Sequence, residues 1–276
     1  MLNMIQMDIF RMFKTKSLYV IAIIMFAVTL LTTVMMASMA TEITDMQQET
    51  EAMQEENTGG IVVSPNMEEG KKVSVFDMVY ANIQGKMLAL YLVIYAVIFA
   101  TADITSGYIK NFAGQVKNRW KLVISKAITL FFYTVLMMVL FVVMQAISTF
   151  VAFGYLEMGN LSDMLAYIGM QTILHYGLLC VCMAFSIVFR NNLCSMSLAI
   201  CICCGITNLL FGYIDRVLGK IGIENFQTIK YTITGRIGSL PMELSGSDVG
   251  KGMLVAAVFI LVFVGISSYI FEKRDV

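Results

Sequence analysis

The chain predicts an all-α, polytopic membrane protein: six transmembrane helices behind an N-terminal interfacial helix, forming a single transmembrane domain over residues 1–276. Composition gives the first reason. Hydrophobic residues make up 58% of the sequence and charged residues 14%, against roughly 45–50% and 25% in soluble domains. The second is Leu18 to Ala40, 23 residues without a charge. As a helix rising ~1.5 Å per residue it spans about 35 Å and crosses the hydrocarbon core. Third, further apolar runs recur along the chain, and in lipid each must be helical, because every backbone amide needs an internal partner.

Residues 1–16 read as a short helix lying along the inner leaflet. Leu2, Ile5, Ile9, Met12 and Phe13 share one face, with Asn3, Gln6, Arg11 and Lys14 on the other. The basic residues Arg11, Lys14 and Lys16 precede an apolar run too long for a cleaved signal and lacking a small-x-small site, so it reads as a retained first span. The spans are expected near 18–40, 84–102, 122–152, 164–189, 194–213 and 252–271, the third long enough to tilt. Pro65 and Pro241 fall outside them, so no proline kink is expected.

Two longer segments face the other side. Residues 41–80 begin acidic and rich in helix formers, continuing the first span until Thr58-Gly59-Gly60 breaks it. The acidic run reads as a solvated face, with attraction of a cationic substrate as the sharper reading. Residues 214–250 mix Ile, Phe and Leu with Gly and charge, which fits short helices on the outer membrane face or dipping slightly into it. With six spans both ends share one side. That side holds eleven Lys and Arg residues against eight opposite, and none lies between Ala40 and Lys71. The positive-inside rule places both termini in the cytoplasm.

Little in the chain points to bond-making chemistry. Net charge is zero, so no global field attracts nucleic acid. Cys201 and Cys204 have C-x-x-C spacing in wholly aliphatic surroundings without a second ligand pair, and read as small apolar helix residues. The sole histidine, His175, lies in the fourth span without a companion ligand. It is expected to hydrogen-bond to a neighbouring helix. Catalytic patterns of the G-x-S-x-G or H-E-x-x-H type are missing, and Gly246 to Lys251 has the wrong spacing for a phosphate-binding P-loop. No catalytic residue, metal ligand or bound cofactor is therefore assigned. Gln145, Gln171, His175 and Asn208 are the polar residues within the spans, suited to lining a pathway or bonding between helices. Asp103 and Lys86 fall near span ends and Asp163 at the mouth of the fourth, so no charge relay crosses the membrane. Any energy used comes from outside the chain.

Residues 103–126 carry five of the 19 basic residues and the only tryptophan, Trp120, between two spans. Asp103, then Gly107, Tyr108, Ile109, Lys110 and Asn111, then Gly114, Arg119 and Lys126 resemble the first cytoplasmic loop of type-2 ABC exporter permeases, in particular small bacterial ones of peptide-antibiotic export or self-immunity. The resemblance implies a cytoplasmic coupling loop, with ATP held on a separate ABC ATPase subunit docked against it. It also implies a second permease copy or a sister permease, since six spans make half a transporter, and a place in the bacterial plasma membrane. Gly107 and Gly114 would allow tight turns. Lys110, Lys117, Arg119 and Lys121 would face acidic groups on the ATPase or anionic lipid headgroups. The expected cargo is an antimicrobial peptide or another amphipathic compound. A reading of another class is a non-transporting sensor or anchor, binding a ligand outside and recruiting a cytoplasmic partner.

Overall fold

The computed structural model describes residues 1–46, 72–105, 119–220 and 227–273, and among these there are helices and connections but no strand. Helix α1 (Leu2–Lys14) is separated from α2 (Lys16–Met46) by Thr15 in an extended conformation. The Thr15 hydroxyl donates to the Arg11 carbonyl at 2.7 Å and so helps close the first helix. The face of α1 that packs inward shares only its edge, Met12, with the face its apolar residues mark. Asp8 and Met12 are buried against α5, defined below, while Leu2 is 70% and Phe13 47% exposed.

Helix α3 (Val75–Gln84) begins at a capping box in which the Ser74 hydroxyl accepts from the Asp77 amide and the Asp77 carboxylate accepts from the Ser74 amide. Helix α4 (Met87–Thr105) follows after a bend of 58°. The expected span at 84–102 is the continuous helix α4, and α3, not expected, leads into it through a sharp bend at Gly85 and Lys86. No proline is involved: Lys86 takes a left-handed φ of 59° directly after Gly85, a conformation costing a non-glycine residue roughly 1 kcal/mol. Helix α5 (Trp120–Phe153) runs to Gly154, whose φ of 73° ends it in a left-handed cap. Helix α6 (Leu161–Phe189) starts at Asn160, whose side chain caps the Ser162 amide.

Helices α7 (Asn192–Cys203) and α8 (Ile206–Lys220) divide the stretch expected as one span at 194–213, the break falling at Cys204 and Gly205 with φ 81° at the glycine. A 3-10 turn at Thr228–Tyr231 leads into α9 (Ile233–Ser239), and α10 (Gly246–Lys273) completes the described chain. By length and hydropathy α2, α5, α6 and α10 can each cross a membrane, and the bent α3–α4 pair makes a fifth. Neither α7 nor α8 is long enough alone.

Several apolar helices of this length make a multi-pass membrane protein, and the surface agrees. Ile23, Leu31, Val139, Val151, Leu254 and Leu261 are large, apolar and more than half exposed, which water would penalise and lipid does not. Helix α6 is central: 67% of its apolar window is buried, against 22% in α2 and in α10. It pairs most extensively with α10 and also with α4, while α2 lies on α5. Tyr95 and Tyr133 stack at 4.2 Å between ring centroids inside the bundle. Asp103 meets Arg11 and Lys126, Thr101 meets Asn192, and Trp120 shares a groove with Tyr269 and Glu272. Those contacts place the N-terminal helix and the end of α10 at one end of the bundle. The Val75 amide donates to Glu157 at the opposite end.

Candidate functional site

At the end that holds α1, the helices on either side of residues 106–118 are tied together by ionic groups. Asp103, in the last turns of α4, bridges two cations. Its Oδ1 lies 2.6 Å from Arg11 Nη2 and its Oδ2 lies 2.7 Å from Lys126 Nζ. Lys126, in the second turn of α5, also donates to the Phe99 carbonyl at 3.2 Å and lies 4.8 Å from the centre of the Phe99 ring. One residue earlier, Ser125 donates to Asp8 Oδ2 at 2.5 Å. The Asp103 and Lys126 side chains are 8% and 9% exposed, and Arg11 keeps 36%. Two acids and two bases leave the cluster neutral, so burial strands no net charge. Burial nevertheless pushes the Asp8 carboxyl above its ordinary pKa, opposed by the Ser125 hydrogen bond and by Lys126.

The arrangement ties three helices, α1, α4 and α5, to one another. The chain between residues 105 and 119 is anchored at both ends within a few residues of one knot, and α1 is fastened to the same knot twice.

Deeper in the bundle lies a second polar group. Gln145 on α5 is fully buried, accepts from Asn82 of α3 at 3.2 Å and donates to the Thr33 hydroxyl of α2 at 3.0 Å. One side chain thereby links three helices. On α6, Gln171 donates to the Tyr167 hydroxyl and to the Ile237 carbonyl of α9, both at 3.0 Å. His175 Nδ1 pairs with the Gln171 carbonyl of its own helix at 2.7 Å, while its Nε2 is buried without a partner. The expected bond from His175 to a neighbouring helix is therefore replaced by one within α6, because a ring one turn beyond Gln171 reaches that carbonyl first.

The breaks converge on a third feature. Lys86 at the α3–α4 bend, Cys203 at the end of α7, and Thr234 and Ile237 of α9 meet with Ala89 and Leu178 in a junction too tight to admit a water molecule. Interrupted helices meeting inside a membrane bundle are where transporters place irregular backbone. Lys86, expected near a span end, stands immediately before α4, at the bend that joins it to α3. Part of the segment 214–250, expected at the outer face, is drawn into the same region: Ile233, Thr234 and Ile237 are buried, and a Cβ on Gly238 would lie 3.7 Å from the Gln84 carbonyl.

Of the coupling residues expected from sequence, Asp103 sits in the ionic knot and Arg119 immediately precedes α5. Gly107, Ile109, Lys110, Asn111 and Gly114 lie outside the described residues. Asn208 is in α8, with its side chain outside the described set. Gln145, Gln171 and His175 occupy the bundle interior on two adjacent helices. The sequence reading missed Asp8, Ser125, Asn82 and Thr33. Asp8 had a signal available, being the one acid in α1 and four residues before the buried Met12.

Residues 43–276 match the model of a family described as "Protein of unknown function (DUF2705)", and the chain belongs to that family. No curated protein matches the chain.

Proposed function

We propose that this member of the DUF2705 family is the permease subunit of an ABC exporter, forming half of a transmembrane pathway in the bacterial plasma membrane and coupling to a separate cytoplasmic ATPase. The observation that carries the reading is the knot of Asp8, Arg11, Asp103, Ser125 and Lys126 at the base of the 106–118 connection. A docked motor needs a loop whose displacement is handed to several helices at once, and this knot joins three. The resemblance of residues 103–126 to permease coupling loops and the lack of a P-loop sequence support the same assignment. In this reading α7 and α8 together form a broken sixth span, both termini are cytoplasmic, and α1 lies at the inner interface. The exposed Leu2, Phe10 and Phe13 of α1 would then enter the leaflet, not the bundle. The cargo would be an antimicrobial peptide or another amphipathic compound, and a second permease would complete the pathway.

Copurification in mild detergent tests the reading. The native chain should bring down a soluble ATPase in stoichiometric amount. Gly107→Arg or Ile109→Glu should lower that association while leaving membrane insertion intact. Association unchanged by either substitution removes the docking assignment. Binding of a ligand by vesicles without ATP-dependent movement would favour the anchor or sensor instead.

A further inference from the structure

An open groove runs along the bundle between α5, α6 and α10, enclosing about 660 Å³. Its wall is made by Trp120, Ile124 and Ile128 of α5, Tyr176 of α6, and Leu261 and Gly265 of α10. On α10 the lining extends from Ile260 to Glu272; at ~1.5 Å per residue that is about 18 Å, and the matching stretch of α5 is about 12 Å. The hydrocarbon core is ~30 Å thick, so the groove is one leaflet deep. It opens at the end that carries α1. There two aromatic rings flank the mouth, each with an ammonium beside it: Lys121 Nζ lies 5.9 Å from the Trp120 ring centre, and Lys273 Nζ lies 4.7 Å from that of Tyr269. Glu272 shares the mouth, and the two lysines outnumber it.

We propose that this groove seats one acyl chain of an anionic phospholipid from that leaflet, with the headgroup phosphate held between Lys121 and Lys273. The apolar wall matches a lipid tail in character and in length. Tryptophan and tyrosine at headgroup level are the side chains that suit the boundary, and the excess positive charge selects the anionic headgroup. Gly265 lines the groove and is exposed, and a Cβ added there would meet nothing within 4 Å. The site stands independently of the exporter reading, since it needs neither a motor nor a pathway.

Trp120 is the only tryptophan in the chain and lines the groove, so its fluorescence reports occupancy directly. The full chain is placed in mixed vesicles of phosphatidylcholine and phosphatidylglycerol, with bromine on the acyl chains of one lipid or the other. Brominated phosphatidylglycerol should quench with about fivefold higher apparent affinity than brominated phosphatidylcholine, the enrichment expected of even one basic residue near an anionic headgroup. Lys121→Glu combined with Lys273→Glu should bring the two lipids level. Gly265→Phe, whose Cβ enters open space and whose ring would occupy the groove, should weaken quenching by both. A melting curve checks that each variant is folded. Equal quenching by both lipids in the native chain overturns the headgroup assignment, and quenching indifferent to Gly265→Phe overturns the groove. Quenching that appears only on dilution of the protein in the bilayer overturns the lipid in favour of a second copy.

Discussion

Replacing Lys126 by methionine removes the centre of the ionic knot while keeping a long, flexible apolar side chain. The structure sets the size of the effect. Asp103 and Lys126 are each more than nine-tenths buried and 2.7 Å apart, and removing one member of such a pair typically costs about 3–5 kcal/mol, because the other charge is left uncompensated. Here Arg11 still reaches Asp103 at 2.6 Å but is 36% exposed, so it recovers part of that cost through solvent-screened contact. Loss of the bond to the Phe99 carbonyl adds a charged donor's share. The expected net loss is about 2–3 kcal/mol. For a chain of this size that lowers the melting temperature by roughly 4–12 °C. The assay is thermal unfolding in detergent followed by circular dichroism, with Trp120 fluorescence as a local probe six residues before Lys126. Asp103→Asn and the double variant complete a cycle, and the coupling should be about 1.5–3 kcal/mol. A loss below ~0.5 kcal/mol for Lys126→Met, or strict additivity in the cycle, refutes the knot as a mechanical joint.

Three further outcomes follow from the geometry. Asp8 has a folded-state pKa raised above its unfolded value by burial, so the folded chain binds the extra proton between those values. Its contribution to stability is complete below about pH 4 and declines as pH rises through the raised value. Asp8→Asn keeps an oxygen to accept from Ser125, so it should flatten this slope and melt no lower than the native chain at pH 7; a lower melting temperature there contradicts the sign. Gly235→Ala would put a Cβ 1.9 Å from the Ile229 carbonyl oxygen and should cost about 1–3 kcal/mol by overpacking, whereas Gly169→Ala meets nothing within 4 Å and should gain up to about 1 kcal/mol of helix propensity. Equal melting temperatures for the two variants would count against the buried seat of α9. Gln145→Leu should cost about 0.6–1.7 kcal/mol, since Asn82 keeps its bond to the Met78 carbonyl at 2.9 Å. A much larger loss in denaturation would mean that Gln145 supports more than the Asn82 and Thr33 contacts.

The uninterrupted spans were legible because lipid-sized apolar runs are hard to hide: α2, α5, α6 and α10 each extend the expected range by a few residues. The interruptions were not. Gly85-Lys86 and Cys204-Gly205 contain no proline, and hydropathy averages over them, although a single left-handed residue suffices to turn the chain. Helix α9 was illegible for another reason. Ile233 to Ser239 reads like a glycine-rich connection, and only the tertiary partners Gln171 and the α3–α4 bend explain its burial. For the candidate site, the membrane amides Gln145 and Gln171 stood out because an apolar background isolates them. Asp103 stood out as an acid at a span end. Its partnership with Arg11 spans more than ninety residues of sequence, and the partners Asp8 and Ser125 are 117 positions apart. A single sequence offers no periodicity that joins positions so distant.

The broken α3–α4 pair also constrains how the protein is made. Helix α3 has 10 residues, too few to hold a place in the bilayer by hydropathy alone. Its polar side chain Asn82 waits for Gln145, more than sixty residues later, and the bend beside Lys86 waits for α9, some 150 residues later. During synthesis Asn82 therefore gains Gln145 when α5 arrives, whereas the bend and Gln171 gain α9 only with the last third of the chain. A chain stopped after α8 would leave the side chain of Gln171 without the Ile237 carbonyl and the bend without its cover. Completion of the C-terminal third is thus the step that converts a set of inserted helices into one folded unit.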